Sequence, residues 1–128
     1  MTRKKVQFEY GLNYTSESIL WDAISTPSGL KEWFADQVKF DGKNVTFKWG
    51  KDEERSAVIV GQRIFSFIRF KWTDATVPQE YFEMKILVDE LTNDFTLEIT
   101  DFCEEGEEID TKDLWDSQIE TLRRMGGF

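Results

Sequence analysis

Hydrophobic periodicity limits what this chain can fold into more than any other feature of its sequence. Near the N-terminus apolar side chains take every second position, a spacing that predicts a strand with one buried face. These residues are Val6, Phe8, Tyr10, Leu12 and Tyr14. Two short segments with helical spacing follow, with apolar stripes formed by Ile19, Leu20, Ala23 and Ile24 and by Leu30, Trp33 and Phe34. Thr15 or Ser16 can cap the first helix, which ends near Ser25, and Thr26-Pro27 starts the second.

The middle of the chain returns to a period of two and predicts an antiparallel meander. Asp41-Gly42 separates alternating segments at 38–40 and 45–49, as in a hairpin. We expect the next strand over 56–60, a turn at 61–63 and a long strand over 64–72. In that long strand apolar residues occupy both parities, so either both faces are partly covered or a bulge intervenes. After a loop at Pro78, segments 82–88 and 95–99 alternate on either side of a turn at 92–94.

The last segment has the spacing of one long amphipathic helix. Asp110 or Thr111 can cap it, Gly126-Gly127 ends it, and about 15 residues make it roughly 22 Å long. Its apolar stripe is predicted to comprise Leu114, Trp115, Ile119, Leu122 and Met125. The element order therefore predicts an α+β fold in which a curved antiparallel sheet of about six or seven strands lies across this helix. A twisted sheet wrapped around one helix can leave a cavity between them.

Composition excludes several kinds of site. The 128 residues, which suit a single domain, contain no histidine, so catalytic triads with histidine and the usual zinc sites are absent. Cys103 is the single cysteine and is expected to be structural. A net charge of −9 disfavours nucleic acid and anionic membrane surfaces as partners. The first ten residues carry no apolar run of the signal-peptide kind, so we expect a cytoplasmic protein without membrane insertion.

Most of the negative charge lies in one segment. Eight acidic side chains and Lys112 supply −7 of the −9 between residues 101 and 116: Asp101, Glu104, Glu105, Glu107, Glu108, Asp110, Asp113 and Asp116. A solvated acidic loop that enters the first turn of a helix is the favoured interpretation. A calcium site is the alternative, although the carboxylate spacing of a calcium-binding loop is missing.

Several motifs together resemble the START-like, SRPBCC superfamily. They are STPSGLKEWFAD (25–36), FKW (70–72), TDF (100–102) with the acidic loop after it, and LWDSQIETL (114–122). Residues 27–33 are similar to the branch of heat-shock-chaperone ATPase activators. The resemblance implies the helix-grip fold and binding of lipids, sterols, polyketides or other apolar molecules, without implying one activity. The acids, lysines and tyrosines of the catalytic members have no counterpart here by motif.

Candidate ligand-binding residues follow from the parity that faces the helix. They are Tyr10, Trp49, Phe70, Trp72, Met84 and Ile99 from the sheet, and Trp115, Gln118, Ile119 and Leu122 from the helix. For each apolar residue, a place in a solid core is the alternative. Gln118 puts an amide on the apolar stripe, where it either bonds backbone or Tyr10 or orients a ligand's polar group.

Four further residues are assigned by position. Asp101 continues the inward parity of its strand, where desolvation would raise its pKa, unless the strand ends or bulges first and leaves it solvated or bonded to backbone. Asp36 is expected in a turn or a salt bridge. Trp33 and Phe34 are adjacent, so one can pack inside while the other lies at the cavity mouth or contacts a partner protein.

The sequence thus favours a binding or carrier domain for an apolar small molecule, with no catalytic residue, metal or cofactor. The alternative is a protein-interaction module similar to the chaperone activators, which would use Trp33, Phe34 and the acidic segment. A cyclase-like or hydrolase-like enzyme that uses Asp101 or Tyr10 is the least favoured possibility. Either a monomer or a homodimer fits these expectations.

Overall fold

The computed structural model describes residues 3–13, 16–74 and 80–128. Tyr14, Thr15 and Pro78, which the sequence assigned to the first strand, a helix cap and a loop, lie outside the described residues. In chain order the elements are β1 (Arg3–Leu12), α1 (Glu17–Ser25), α2 (Pro27–Trp33), β2 (Gln37–Asp41), β3 (Asn44–Trp49), β4 (Glu53–Arg63), β5 (Phe67–Trp72), β6 (Phe82–Val88), β7 (Phe95–Glu104) and α3 (Glu108–Gly126).

The strands form one antiparallel sheet that confirms the predicted architecture. Its order is β1-β7-β6-β5-β4-β3-β2, so the first strand pairs with the last and the meander continues from there to β2. The chain passes from one edge of the sheet to the other through α1 and α2, and α3 then packs across the inner face. The predicted α+β helix-grip fold, with two short helices after the first strand and a C-terminal helix, is therefore confirmed.

Local sequence explains the sharp junction between α1 and α2. Ser16 caps α1 by accepting a hydrogen bond from the Ile19 amide at 3.2 Å. Thr26 ends α1 and caps α2, where its Oγ1 accepts from the Gly29 amide at 3.0 Å. Gly29 lies directly against the backbone of α1, so a larger residue would not fit there. The chain therefore passes from α1 to α2 through a single residue, Thr26.

The turn between β4 and β5 differs from its predicted position. The sequence placed a turn at 61–63 and started the next strand at 64, whereas β4 runs to Arg63 and the turn occupies 64–66. The pairing of β4 with β5 shifts in register between Ile59 and Gly61. This irregularity is a bulge within β4, so the strand continues beyond Gly61 and the turn comes later. Phe65 adopts a left-handed φ of 64° in the turn and is partly exposed.

The C-terminal helix differs from the prediction in its first residue and in which of its apolar residues are buried. It begins at Glu108, because Thr111 already bonds back to the Glu107 carbonyl and cannot be its cap. Trp115, Ile119 and Leu122 are buried as expected, but Leu114 and Met125 are 63% and 59% exposed. At 100° per residue, these two lie about 80 to 100° around the helix from Trp115, at the margin of the buried face. In α1, Ile19 is likewise exposed while Leu20 and Ile24 are buried.

Candidate functional site

Aromatic rings fill the space between the sheet and α3. Phe82 is 1% exposed, and its ring stacks on Phe70 at 4.9 Å and on Trp72 at 4.8 Å between centroids. The ring also lies 5.6 Å from Phe34 and 6.2 Å from Trp115. The ring of Phe82 therefore fills the space between Trp72 and Trp115, two of the candidate ligand-binding residues.

A cleft of about 750 Å³ opens beside this aromatic cluster. It lies at the end of the sheet where β3, β5 and β7 finish and β6 begins, and α2 and α3 form its other walls. Its apolar floor comes from five different elements or their ends: Trp49, Trp72, Phe82, Trp115 and Phe34. The cleft therefore lies between the sheet and α3, as expected for a ligand site, but at one end of the sheet instead of at its centre.

The structure divides the ten candidate ligand-binding residues into two groups. Trp49, Trp72, Trp115 and Gln118 line the cleft together. The other six belong to the solid core and are at most 8% exposed: Tyr10, Phe70, Met84, Ile99, Ile119 and Leu122. The alternation of residues along a strand predicts which side chains face α3. It does not predict at which end of the strand the solid core gives way to an open cleft.

One backbone carbonyl organises the wall between α2 and α3. The Phe34 oxygen accepts hydrogen bonds from Trp49 Nε1 at 2.8 Å and from Gln118 Nε2 at 3.2 Å. The amide nitrogen of Gln118 thus donates to backbone and not to Tyr10, which was the other structural partner considered for it. The Tyr10 hydroxyl instead donates to Asp116 at 2.7 Å. The Gln118 side chain is half-buried and its position beside the cleft is fixed by this contact.

Trp33 and Phe34 are both buried, at 6% and 4% exposure. Trp33 Nε1 donates to the Ala23 carbonyl at 2.8 Å, which ties α2 to α1. Phe34 packs in the aromatic cluster, edge-to-face against Phe47 at 5.0 Å. Both residues are buried in the lining of the cleft, and neither is the exposed member of the pair. Their role in a protein contact stays a prediction.

Asp101 lies on the wall of the cleft because β7 continues past it to Glu104. Its Oδ2 accepts from Trp115 Nε1 at 2.8 Å, and its Oδ1 accepts from the Phe102 amide at 2.8 Å. Burial raises the pKa of the Asp101 carboxyl, and these two hydrogen bonds work in the opposite direction by stabilising the charged form. The alternative in which the strand ends before Asp101 is therefore wrong. The hydrogen bond to backbone that this alternative also allowed for the Asp101 side chain is present.

Two ion pairs at the cleft were not found by sequence reasoning. Arg3 donates to Glu80 at 2.6 and 2.8 Å, and Arg55 donates to Asp74 at 2.8 and 3.3 Å. The Arg55 guanidinium carbon also lies 3.9 Å from the centroid of the Trp72 ring. The partners are 77 and 19 residues apart in sequence, so no local pattern could have revealed them.

The acidic segment separates into residues with different surroundings. Asp101 lines the cleft, whereas Asp116 lies on α3 and accepts from Lys112 and from Tyr10. These hydrogen bonds hold the pKa of Asp116 below its usual value. Within the described ranges no three His, Cys, Asp or Glu side chains are grouped so that they could hold a metal ion. Asp36 accepts from the Gly50 amide at 2.6 Å, a turn contact of the expected kind, and Cys103 is buried.

These features define a helix-grip domain with an open, aromatic-floored cleft. The sequence matches the START-like superfamily domain over residues 1–127, and the chain belongs to this superfamily. No curated protein matches the sequence. In the part of the chain that the structure describes, no helix combines the length and apolar character that a membrane crossing requires.

Solved structures extend the comparison. The solution structure of BfR322 from Bacteroides fragilis is 56% identical, has a TM-score of 0.71, and is matched over 100% of this chain and 94% of that chain. The Aha1 dimer from Colwellia psychrerythraea is similar in fold at 13% identity, with a TM-score of 0.75 and 96% of each chain covered. DynU16, a protein from the dynemicin biosynthetic locus, has 16% identity and a TM-score of 0.76 over 94% of this chain and 46% of that chain.

Proposed function

We propose that this START-like domain binds a small molecule with an apolar body in the cleft at the end of its sheet. One observation carries the proposal: a cleft of about 750 Å³ that has tryptophan rings on its floor and is open to solvent. Small-molecule sites commonly have volumes of about 300 to 1,000 Å³ and apolar walls with a few placed polar groups. The cleft matches this volume and has an apolar floor, while charged side chains complete its lining; Asp101 and Gln118 are polar groups that hydrogen bonds hold in place.

The rigidity of the wall supports a preformed site. Trp115 is fixed by its indole bond to Asp101, and Trp49 by its bond to the Phe34 carbonyl. Phe82 is fixed by stacking. A ligand that contacts these rings would therefore order few additional side chains, which lowers the entropic cost of binding. This arrangement suits a ligand with an apolar body, because the lining offers aromatic contact and two polar side chains held by hydrogen bonds.

A ligand screen with a matched pair of variants tests the proposal. Lipids, sterols and polyphenols would be added to the purified protein, with thermal shift and native mass spectrometry as readouts. Leu114 lines the cleft and is 63% exposed, whereas Ile109 on the same helix is 76% exposed and lies outside the cleft. We expect Leu114→Ala to weaken a hit by about fivefold, because it removes an apolar contact without adding a charge, and Ile109→Ala to leave it unchanged. Equal effects of the two substitutions, or a panel without any hit, would contradict the proposal.

A protein contact is the second candidate function. The early part of α3 and the loop before it expose Glu105, Glu107 and Asp113, and this acidic surface favours such a contact more than the buried Trp33 and Phe34 do. The fold similarity to the Aha1 dimer adds homodimer formation as a testable state. Calorimetry with a purified heat-shock chaperone and sedimentation velocity of the protein alone would test the two contacts. Glu105→Lys and Glu107→Lys are expected to abolish a chaperone contact, and an unchanged affinity would exclude this surface.

A further inference from the structure

The lining of the cleft defines the chemical class of its ligand. We infer that the cleft takes an organic cation, a molecule whose protonated or quaternary nitrogen is carried on a flat apolar body. This inference rests on the proposed function and names the ligand of the same site. Charge balance, the aromatic lining and the position of one carboxylate support it independently.

The charge of the cleft favours a cation over an anion. Its lining holds six acidic and three basic side chains, which are Glu32, Asp36, Glu53, Asp74, Glu80 and Asp101, and Arg3, Lys31 and Arg55. Arg3 is held by Glu80 and Arg55 by Asp74, so two of the three basic groups are already neutralised. Outside these two ion pairs, the lining contains four carboxylates and one basic group, Lys31. An anionic ligand would therefore enter a region of negative potential, whereas a cation is attracted to it.

The ring faces of the cleft suit a positive charge. The Arg55 guanidinium carbon lies 3.9 Å from the Trp72 centroid, so one face of the floor already interacts with a cation of the protein. Phe82 stacks on Trp72 as well, and Trp115 is only 3% exposed, so the half-buried Trp49 provides the indole ring for a ligand cation. Indole has the strongest attraction for a cation among the aromatic side chains, and a flat apolar body can stack beside the same rings.

Asp101 provides the carboxylate for the ligand's nitrogen. It forms no ion pair among the residues that the structure describes, and its two hydrogen bonds come from Trp115 Nε1 and the Phe102 amide. Each carboxylate oxygen can accept more than one hydrogen bond, so both retain capacity for a ligand donor. Burial raises the pKa of the Asp101 carboxyl, and an ammonium group in contact with it would stabilise the charged form and offset that penalty.

Three probes with one ring system and three charges test the inference. At pH 7, 1-naphthylmethylamine is a cation, 1-naphthalenemethanol is neutral and 1-naphthoic acid is an anion. Their dissociation constants would be measured by protein-observed NMR titration. We expect the amine to bind about tenfold more tightly than the alcohol and the acid to bind most weakly, from one cation–π contact plus one carboxylate contact. A tightest-binding acid, or equal affinity of the amine and the alcohol, would overturn the inference.

A matched pair of variants identifies the carboxylate. Asp101→Asn keeps the size of the side chain and an oxygen that can accept from Trp115, and we expect it to reduce the amine-to-alcohol affinity ratio to about one or two. Asp113→Asn removes an exposed carboxylate of α3 outside the cleft and is expected to leave the ratio unchanged. If the alcohol binds in the cleft but the amine has no advantage, the inference fails and the proposed function stands. If no probe binds and the ligand screen is also empty, both fail.

Discussion

Replacing Phe82 by alanine should destabilise the protein more than any change at the rim of the cleft. The ring is 1% exposed and is stacked against Phe34, Phe70 and Trp72 with centroid distances of 5.6, 4.9 and 4.8 Å. Removing a buried phenylalanine ring costs roughly 3 to 5 kcal/mol through lost burial and the cavity that remains. One side of the ring borders the cleft, where water can enter, so we expect a loss of about 4 kcal/mol in the free energy of unfolding.

Urea denaturation followed by circular dichroism measures this loss. With a slope of about 1.5 kcal/mol per molar urea, 4 kcal/mol lowers the midpoint by between about 2 and 3 M. Phe102→Ala is the matched control, because that ring also lines the cleft but is half-buried and pairs edge-to-face with Tyr81. The control should cost about 1 kcal/mol. If Phe82→Ala costs no more than Phe102→Ala, Phe82 does not fill the space between the sheet and α3, and our description of a solid core is wrong.

Three further substitutions test other parts of the structure. Gly29→Ala should cost about 2 kcal/mol or more in urea denaturation, because a Cβ would overlap the Asp22 carbonyl oxygen and lie 2.7 to 2.8 Å from two further backbone atoms of α1. Gly11→Ala, with open space around the Cβ, should not destabilise the protein. Tyr10→Phe should raise the pKa of Asp116 toward its ordinary 3.8, as followed by carboxyl NMR, because the Tyr10 hydroxyl is the main donor that lowers it; an unchanged pKa would exclude that bond. Burial raises the pKa of Asp101 in the folded state, so the folded form binds its proton more tightly and stability falls as pH rises from 3.8 through the raised pKa. The Tm of Asp101→Asn relative to the parent protein should therefore be higher at pH 7 than below pH 3.8, whatever the variant loses because asparagine has one acceptor oxygen for two donors. An equal Tm difference at both pH values would contradict this expectation.

The fold could be predicted because it depends on periodicity that is local in the sequence. Alternation of apolar residues predicted the strands, and Thr26-Pro27 predicted the junction between the two short helices. The turn after β4 was misplaced because Gly61 is equally compatible with a turn and with a strand next to a bulge. Only the register against β5 distinguishes these two structures, and register depends on a neighbouring strand.

The cleft was predicted less completely because its boundaries depend on contacts between distant residues. Trp49, Trp72, Trp115 and Gln118 were correctly placed at the inner face, but nothing in the sequence indicates that Phe82 closes the centre of that face. The ion pairs at the rim join residues on different strands and likewise leave no periodic signal. A sequence can therefore identify inward-facing side chains, while three-dimensional packing decides which of them remain accessible to a ligand.

Indole resonances provide the most direct test of the cleft as the binding site. The chain has five tryptophans, of which Trp49, Trp72 and Trp115 form the floor, whereas Trp21 on α1 does not line the cleft. Titration of ¹⁵N-labelled protein with 1-naphthylmethylamine should shift the indole N–H signals of the three floor tryptophans through the ring current of the probe and leave that of Trp21 in place. A shift of Trp21 with unchanged signals from Trp72 and Trp115 would contradict the account.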